Sequence, residues 1–276
     1  MKRKADQDDI QQNNKKPKCN IFYKGIKRVL KLGPDIYKDN LHRLGYTVLK
    51  IEGPYTTKDS YHFTQDTINK IKNYAAKHDS YIFNNKSQDF KRRQCNLKNL
   101  INKKEEDKED KEDKDVKNIT SQIENTIKTF INPDLNFNSW VILRSLAGCS
   151  EQEPHTDYVP TKDLCEAVKN NNKVPLLCLV ALEDDTKINV WPRSIKLITQ
   201  NIMKNTQKIN KKVINLDKNQ MIVFRADLIH AGAEYKDKDN IRLHCFADSK
   251  YVKRDANRTY IIRKHASQAL QDKIKI

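Results

Sequence analysis

The sequence predicts an α+β protein, mainly β in its core: a jelly roll buttressed by N-terminal helices. Three observations carry that expectation. From residue 138 onward, short β-type apolar runs recur between polar or turn-rich segments. Before that point apolar residues recur at helical spacing. The composition, 37% hydrophobic against 32% charged over 276 residues, suits one compact core with polar extensions.

Taken in order, residues 1–33 read as a basic, largely disordered tail. Lys2-Arg3-Lys4 and Lys15-Lys16-Pro17-Lys18 form two basic clusters like those of a bipartite nuclear address. Residues 34–131 form a helical and strand part. Gly33-Pro34 breaks the chain before a short helix over 34–44, and Tyr46–Ile51 reads as a strand closed by Gly53-Pro54. Ile68, Ile71 and Ala75 mark an amphipathic helix within 61–78. Residues 103–117 are a mixed-charge insert, expected as a solvated loop or a lone charged helix. A second helix follows, with Ile119, Ile123, Ile127 and Phe130 on one stripe. Ser121-x-x-Glu124 reads as its capping box, and Pro133 stops it.

The core over 132–250 contains the runs Ser139–Leu146, Val174–Leu182, Ile188–Trp191, Val213–Leu216, Met221–Phe224 and Ile241–Phe246. With His155–Tyr158 and the region around His230 they make about eight strands. Residues 194–204 read as a helical insertion. Residues 251–276 form a basic tail, expected to be helical over 257–274.

No run is apolar enough for a membrane span, and the charged N-terminus lacks the apolar region of a secretory signal, so a soluble intracellular protein is expected. The six cysteines are scattered without a C-x-x-C pair, as reduced thiols would be, with Cys178 and Cys245 placed in the core. The net charge of +17 is unevenly spread. Residues 1–33 hold ten basic and three acidic residues, and 251–276 hold seven and two. Residues 132–250 hold 17 and 15. The charge lies in the arms, which suits attraction to an acidic partner rather than a basic active-site cleft.

One stretch carries chemistry. On an extended strand His155 and Asp157 share a face, offering an imidazole and a carboxylate together. A second histidine would complete the 2-His-1-carboxylate set that suits non-haem Fe(II), and His230 in Leu228-Ile229-His230-Ala231-Gly232 supplies it. Arg242 opens an apolar strand twelve residues later. An antiparallel hairpin across 236–240 would bring it beside His230.

In these residues the chain resembles the Fe(II)/2-oxoglutarate-dependent dioxygenases, whose fold is the double-stranded β-helix. The stretch 141–157 looks like the strand and Gly-containing loop before the first ligand in prolyl-hydroxylase-like members. Val190–Ser194 sits where phytanoyl-type members carry a Pro-Gly-Ser-His turn. The resemblance spans about 139–248. It implies Fe(II) held by His155, Asp157 and His230, and 2-oxoglutarate paired through its distal carboxylate with Arg242. Dioxygen is the further co-substrate and ascorbate an accessory. The implied reaction decarboxylates 2-oxoglutarate to succinate and hydroxylates a substrate, a protein side chain first and a nucleic acid second. Three departures stand out. A Tyr that such members place near Ser145, contacting the co-substrate, is absent. The turn reads Pro192-Arg193-Ser194-Ile195. The second Arg of AlkB-like demethylases is replaced by Asp248.

Other residues receive plainer readings. His244 shares parity with Arg242 and could line the pocket, but reads first as a satisfied core histidine; Arg144 could line the co-substrate pocket, but reads first as a structural ion pair. Lys91-Arg92-Arg93 reads as a solvated face, and Glu183-Asp184-Asp185 as a turn. His42, His62, His78 and His265 have no partners at useful spacing. The competing class is a non-enzymatic jelly-roll module that binds nucleic acid or acidic protein through its basic arms.

Overall fold

A computed structural model describes residues 35–51, 62–82, 90–97, 111–194, 210–255 and 259–262. Helix α1 (Asp35–Arg43) leads into strand β1 (Tyr46–Lys50). Helix α2 (Gln65–His78) precedes the strands β2 (Ser80–Tyr81) and β3 (Arg92–Asn96), and helix α3 (Lys111–Phe130) follows. Next come β4 (Asn136–Ser145), β5 (His155–Thr156), helix α4 (Lys162–Val168) and β6 (Leu176–Ala181). The chain continues through β7 (Thr186–Val190), β8 (Lys212–Leu216), β9 (Gln220–Arg225), β10 (His230–Gly232), β11 (Asn240–Asp248) and β12 (Tyr260–Ile261).

The strands form two antiparallel sheets, ordered β1-β9-β6-β11-β4-β3-β2 and β12-β5-β10-β7-β8. Four strands of each, β9-β6-β11-β4 and β5-β10-β7-β8, are the eight read from the sequence. The period of two explains how they pack. On β6, Leu177, Leu179 and Ala181 join Ile188, Val190 and Ile214 of the smaller sheet in one core between the layers. The intervening Leu176, Cys178 and Val180 face outward and are buried under the helices. Burial on both faces is why this run is continuously apolar rather than alternating.

Helices α1, α2 and α3 cover the outer face of the larger sheet, whereas Leu164, Ala167 and Val168 of α4 join the core between the layers. Ile68, Ile71 and Ala75 of α2 pack with Ile119, Ile123 and Ile127 of α3. Thr64 caps α2 by accepting the Thr67 N–H at 3.1 Å.

Several expectations are corrected. Helix α3 begins at Lys111, so the later part of the charged insert is its first turns and is not a lone helix, because Val116 extends the buried stripe. Ser121-x-x-Glu124 is therefore internal to the helix and not a cap. Glu124 instead accepts the indole N–H of Trp140 at 2.7 Å. Strands β10 and β11 do not form a hairpin: β10 pairs with β5 and β7, whereas β11 pairs with β4 and β6 in the other sheet. Tyr260 and Ile261, expected in a terminal helix, form an edge strand beside Thr156 and His155. The basic clusters of 1–20, the insertion over 195–204 and the tail from 263 onward lie outside the described residues. Of the cysteines, Cys95, Cys149, Cys165, Cys178 and Cys245 are free thiols. Among the described residues no helix is long and apolar enough to cross a membrane.

Candidate metal centre

The register of the smaller sheet sets His155 directly opposite His230. Cross-strand partners share a face, so both imidazoles enter the interior, with ring centroids 4.6 Å apart. Asp157 follows two residues after His155. Its Oδ1 lies 3.7 Å from His155 Nε2 and 3.8 Å from His230 Nε2. One donor atom from each of the three residues falls within a 4.8 Å cluster.

The hydrogen bonds behind the rings decide what these atoms can do. His155 Nδ1 lies 2.7 Å from the Glu153 carbonyl, and His230 Nδ1 lies 3.1 Å from the Leu228 carbonyl. A carbonyl only accepts, so both Nδ1 atoms carry a proton and both Nε2 atoms are the ones turned inward. Burial pushes His230 down to about 4, which keeps it neutral near pH 7. Burial opposes ionisation of Asp157, but His230, His155, His244 and Arg254 outweigh it and hold the carboxyl below its ordinary value. Two imidazoles and one carboxylate form a donor set for a divalent metal.

The group lines a cavity of about 680 Å³. Arg242 enters the same cavity from the larger sheet, across the interior from His230. Its side chain is buried, and its Nη1 donates to Ser145 Oγ at 3.1 Å and to Asn240 Oδ1 at 3.2 Å. Its Nε is buried without a hydrogen-bond partner, and no carboxylate among the described residues pairs with it. Burial lowers its affinity for a proton, and the nearby Arg92 adds to that. A buried, uncompensated guanidinium is costly unless an anion joins it.

His244 is corrected from a satisfied core residue to a cavity residue. It is buried, yet its Nε2 points at Asp157 Oδ2 from 3.8 Å, and Phe246 packs edge-on against its ring. Burial pushes it down to about 4. Arg254 stacks 3.7 Å over Phe246 on the cavity wall. Arg92, read as part of a solvated basic run, is wholly buried on the inward parity of β3. Nothing in that polar strand marks which of three consecutive basic residues turns inward.

The remaining candidates fall elsewhere. Arg144 pairs with Asp79 and Asp239, as a structural ion pair should. The acidic triplet is a turn: Glu183 accepts from Ile241 N, and Asp184 from Lys218 N. Arg193 adopts φ 66°, a left-handed backbone that favours Gly. Its neighbour Ser194 accepts the Ile229 N–H at 2.9 Å, anchoring the chain one residue before His230. His42, His62 and His78 are away from the cavity, and His265 lies outside the described residues.

No family model matches the sequence, and no curated protein does. Solved structures do. The epimerase SnoN, in complex with Fe3+ and α-ketoglutarate, aligns with TM-score 0.54 and 12% identity over 82% of this chain and 87% of its own. The non-haem α-ketoglutarate-dependent carbocyclase SnoK aligns at 0.52 and 10%, over 81% and 86%. HygX from Streptomyces hygroscopicus, with nickel and 2-oxoglutarate bound, aligns at 0.50 and 9%, over 78% and 86%. The chain has the fold of the non-haem 2-oxoglutarate-dependent enzymes. This double-stranded β-helix places the His155, Asp157 and His230 side chains in its interior, facing Arg242.

Proposed function

We propose that the protein is an iron(II)- and 2-oxoglutarate-dependent oxygenase. One observation carries the reading: a His–Asp–His donor set shares a buried cavity with an uncompensated arginine. Each half of the pair answers one end of the co-substrate. His155, Asp157 and His230 would hold the metal, leaving positions for the 2-oxo acid and dioxygen. Arg242 would take the distal carboxylate, through the planar fork that lysine lacks. Iron(II), a dianionic 2-oxo acid, Asp157 and Arg242 then carry no net charge together, which suits a buried site. When bound, iron and 2-oxoglutarate supply an oxidant made from dioxygen, with release of succinate and CO2.

The chain's own groups orient and enclose. The Glu153 and Leu228 carbonyls fix the two imidazole tautomers. Leu179, Phe224 and Phe246 exclude water from the interior side. For the substrate we propose a protein side chain, with hydroxylation as the outcome. The likeness of 141–157 to prolyl-hydroxylase-like members supports it. So does the far wall of the cavity, where Ser80, Gln94, Asn96 and Ser139 offer neutral polar groups suited to peptide amides.

Mn(II) titration tests the metal reading. The unmodified chain is expected to bind Mn(II), and His155→Ala or His230→Ala to lose that binding by about 100-fold or more. Arg242→Ala is expected to bind the metal nearly normally while requiring far more 2-oxoglutarate. Metal-independent nucleic-acid binding that weakens steeply with salt, without 2-oxoglutarate turnover, would favour the non-enzymatic module instead.

A further inference from the structure

Beyond β11 the chain alternates. Val252 is buried in the core between the layers, Lys253 and Asp255 are exposed, and Arg254 lines the cavity. Its guanidinium stacks 3.7 Å over the Phe246 ring. That ring lies 4.7 Å from the ring of His244, whose Nε2 is 3.8 Å from Asp157 Oδ2. Arg242, His244 and Phe246 share one face of β11, so Phe246 lies about 13 Å along the strand from Arg242. The two arginines therefore stand at opposite ends of the cavity, with Asp157 between them. Arg242 serves the co-substrate end, which leaves Arg254 at the end open to a substrate.

No hydrogen bond from a described residue reaches the Arg254 guanidinium. Its Nε is buried without a partner, and the Asp248 carboxylate stands 3.7 Å away. Both Asp248 oxygens are engaged elsewhere: Oδ1 accepts the Tyr158 hydroxyl, and Oδ2 accepts the Asn138 amide at 2.8 Å. The Arg254 side chain is only 13% exposed, so bulk water reaches few of its donors. Stacking covers one face of the guanidinium and leaves its N–H edge, a planar fork that fits a carboxylate. The β4–β11 register sets Ser139 directly opposite Phe246, so the neutral wall suited to peptide amides adjoins this fork. The basic arms suit an acidic partner in turn.

We propose that the substrate side chain is acidic, an aspartate or a glutamate, and that Arg254 is the binding residue that pairs with its carboxylate beside the metal position. The inference rests on the oxygenase reading above and narrows its substrate class.

The test is nuclear relaxation by Mn(II) in the full-length protein loaded with Mn(II) and 2-oxoglutarate, which reads both affinity and closeness to the metal. The probes are the N-acetyl methylamides of aspartate and glutamate, those of asparagine and glutamine, propionate and dimethyl phosphate. At least one acidic amide is expected to bind about 10- to 150-fold more tightly than its neutral counterpart, the worth of a hydrogen bond to a charged group. Its methylene protons should be strongly relaxed. Arg254→Leu should abolish the preference and leave affinity for the neutral amides within about threefold. Arg254→Lys keeps the charge without the fork and should retain part of it. The proposal is overturned if the unmodified protein shows no preference for an acidic amide, a comparison that needs no variant. It is equally overturned if the preference survives in Arg254→Leu. Propionate binding as tightly would overturn it in favour of a small free acid, and dimethyl phosphate binding more tightly in favour of a nucleic acid. If the unmodified protein binds Mn(II) but not 2-oxoglutarate, the oxygenase reading itself fails.

Discussion

Gly232 shows how tightly single residues are placed behind the metal site. A Cβ there would sit 2.5 Å from Gln152 Oε1 and 2.6 Å from Arg92 Nη1. Neither neighbour is free to retreat: Gln152 exchanges hydrogen bonds with Gly232 through its side chain and its backbone, and Arg92 is locked by three carbonyls. Gly232→Ala is therefore expected to cost about 1–3 kcal/mol of stability, as overpacking does, and to weaken 2-oxoglutarate binding as well. Chemical denaturation and calorimetry check both; wild-type values would show that the backbone absorbs the methyl group. At this scale the sequence revealed the residues whose chemistry is recognisable by type and spacing. His155, Asp157, His230 and Arg242 do share one cavity. His244 was misread because its partner, Asp157, arrives from the other sheet. Its parity with Arg242 was the available signal.

Among the elements, α3 is the best-defined test of periodicity. Ile127 is fully buried between α3 and the sheet. Ile127→Ala should cost about 2–5 kcal/mol in denaturant unfolding, and a loss below about 1 kcal/mol would mean the helix is not seated as described. Helices and long apolar strands were legible because a solvent-facing side leaves its period in the sequence. Strands β2, β3 and β12 were not. Strands β2 and β12 are two residues long and β3 is polar, and only their pairing partners make them strands. Strand β12 nevertheless flanks His155, with Ile261 directly opposite it and the Ile262 N–H bonded to the Pro154 carbonyl. Removing the chain from residue 259 onward should weaken Mn(II) binding by loosening β5. Unchanged metal affinity in a truncated but folded protein would show that β5 holds its place alone.

Across the whole molecule, charge and chemistry are separated. The basic excess sits in the terminal arms, whereas 132–250 is nearly balanced, with 17 basic and 15 acidic residues. Binding of 2-oxoglutarate within the buried cavity should therefore depend weakly on salt, and any attraction of the arms to an anionic polymer strongly. The crossing of β10 and β11 into opposite sheets was beyond a reading of neighbouring segments. It matters because it sets Arg242 across the interior from the two histidines, leaving space between them for a ligand. The most direct measurement is succinate formed from 2-oxoglutarate by the full-length protein with Fe(II) and ascorbate under air. Succinate that requires Fe(II), disappears in His155→Ala and His230→Ala, and needs much more 2-oxoglutarate in Arg242→Ala is the expected result. Absence of Fe(II)-dependent succinate from a folded, metal-loaded protein, with or without candidate substrates, would contradict the assignment.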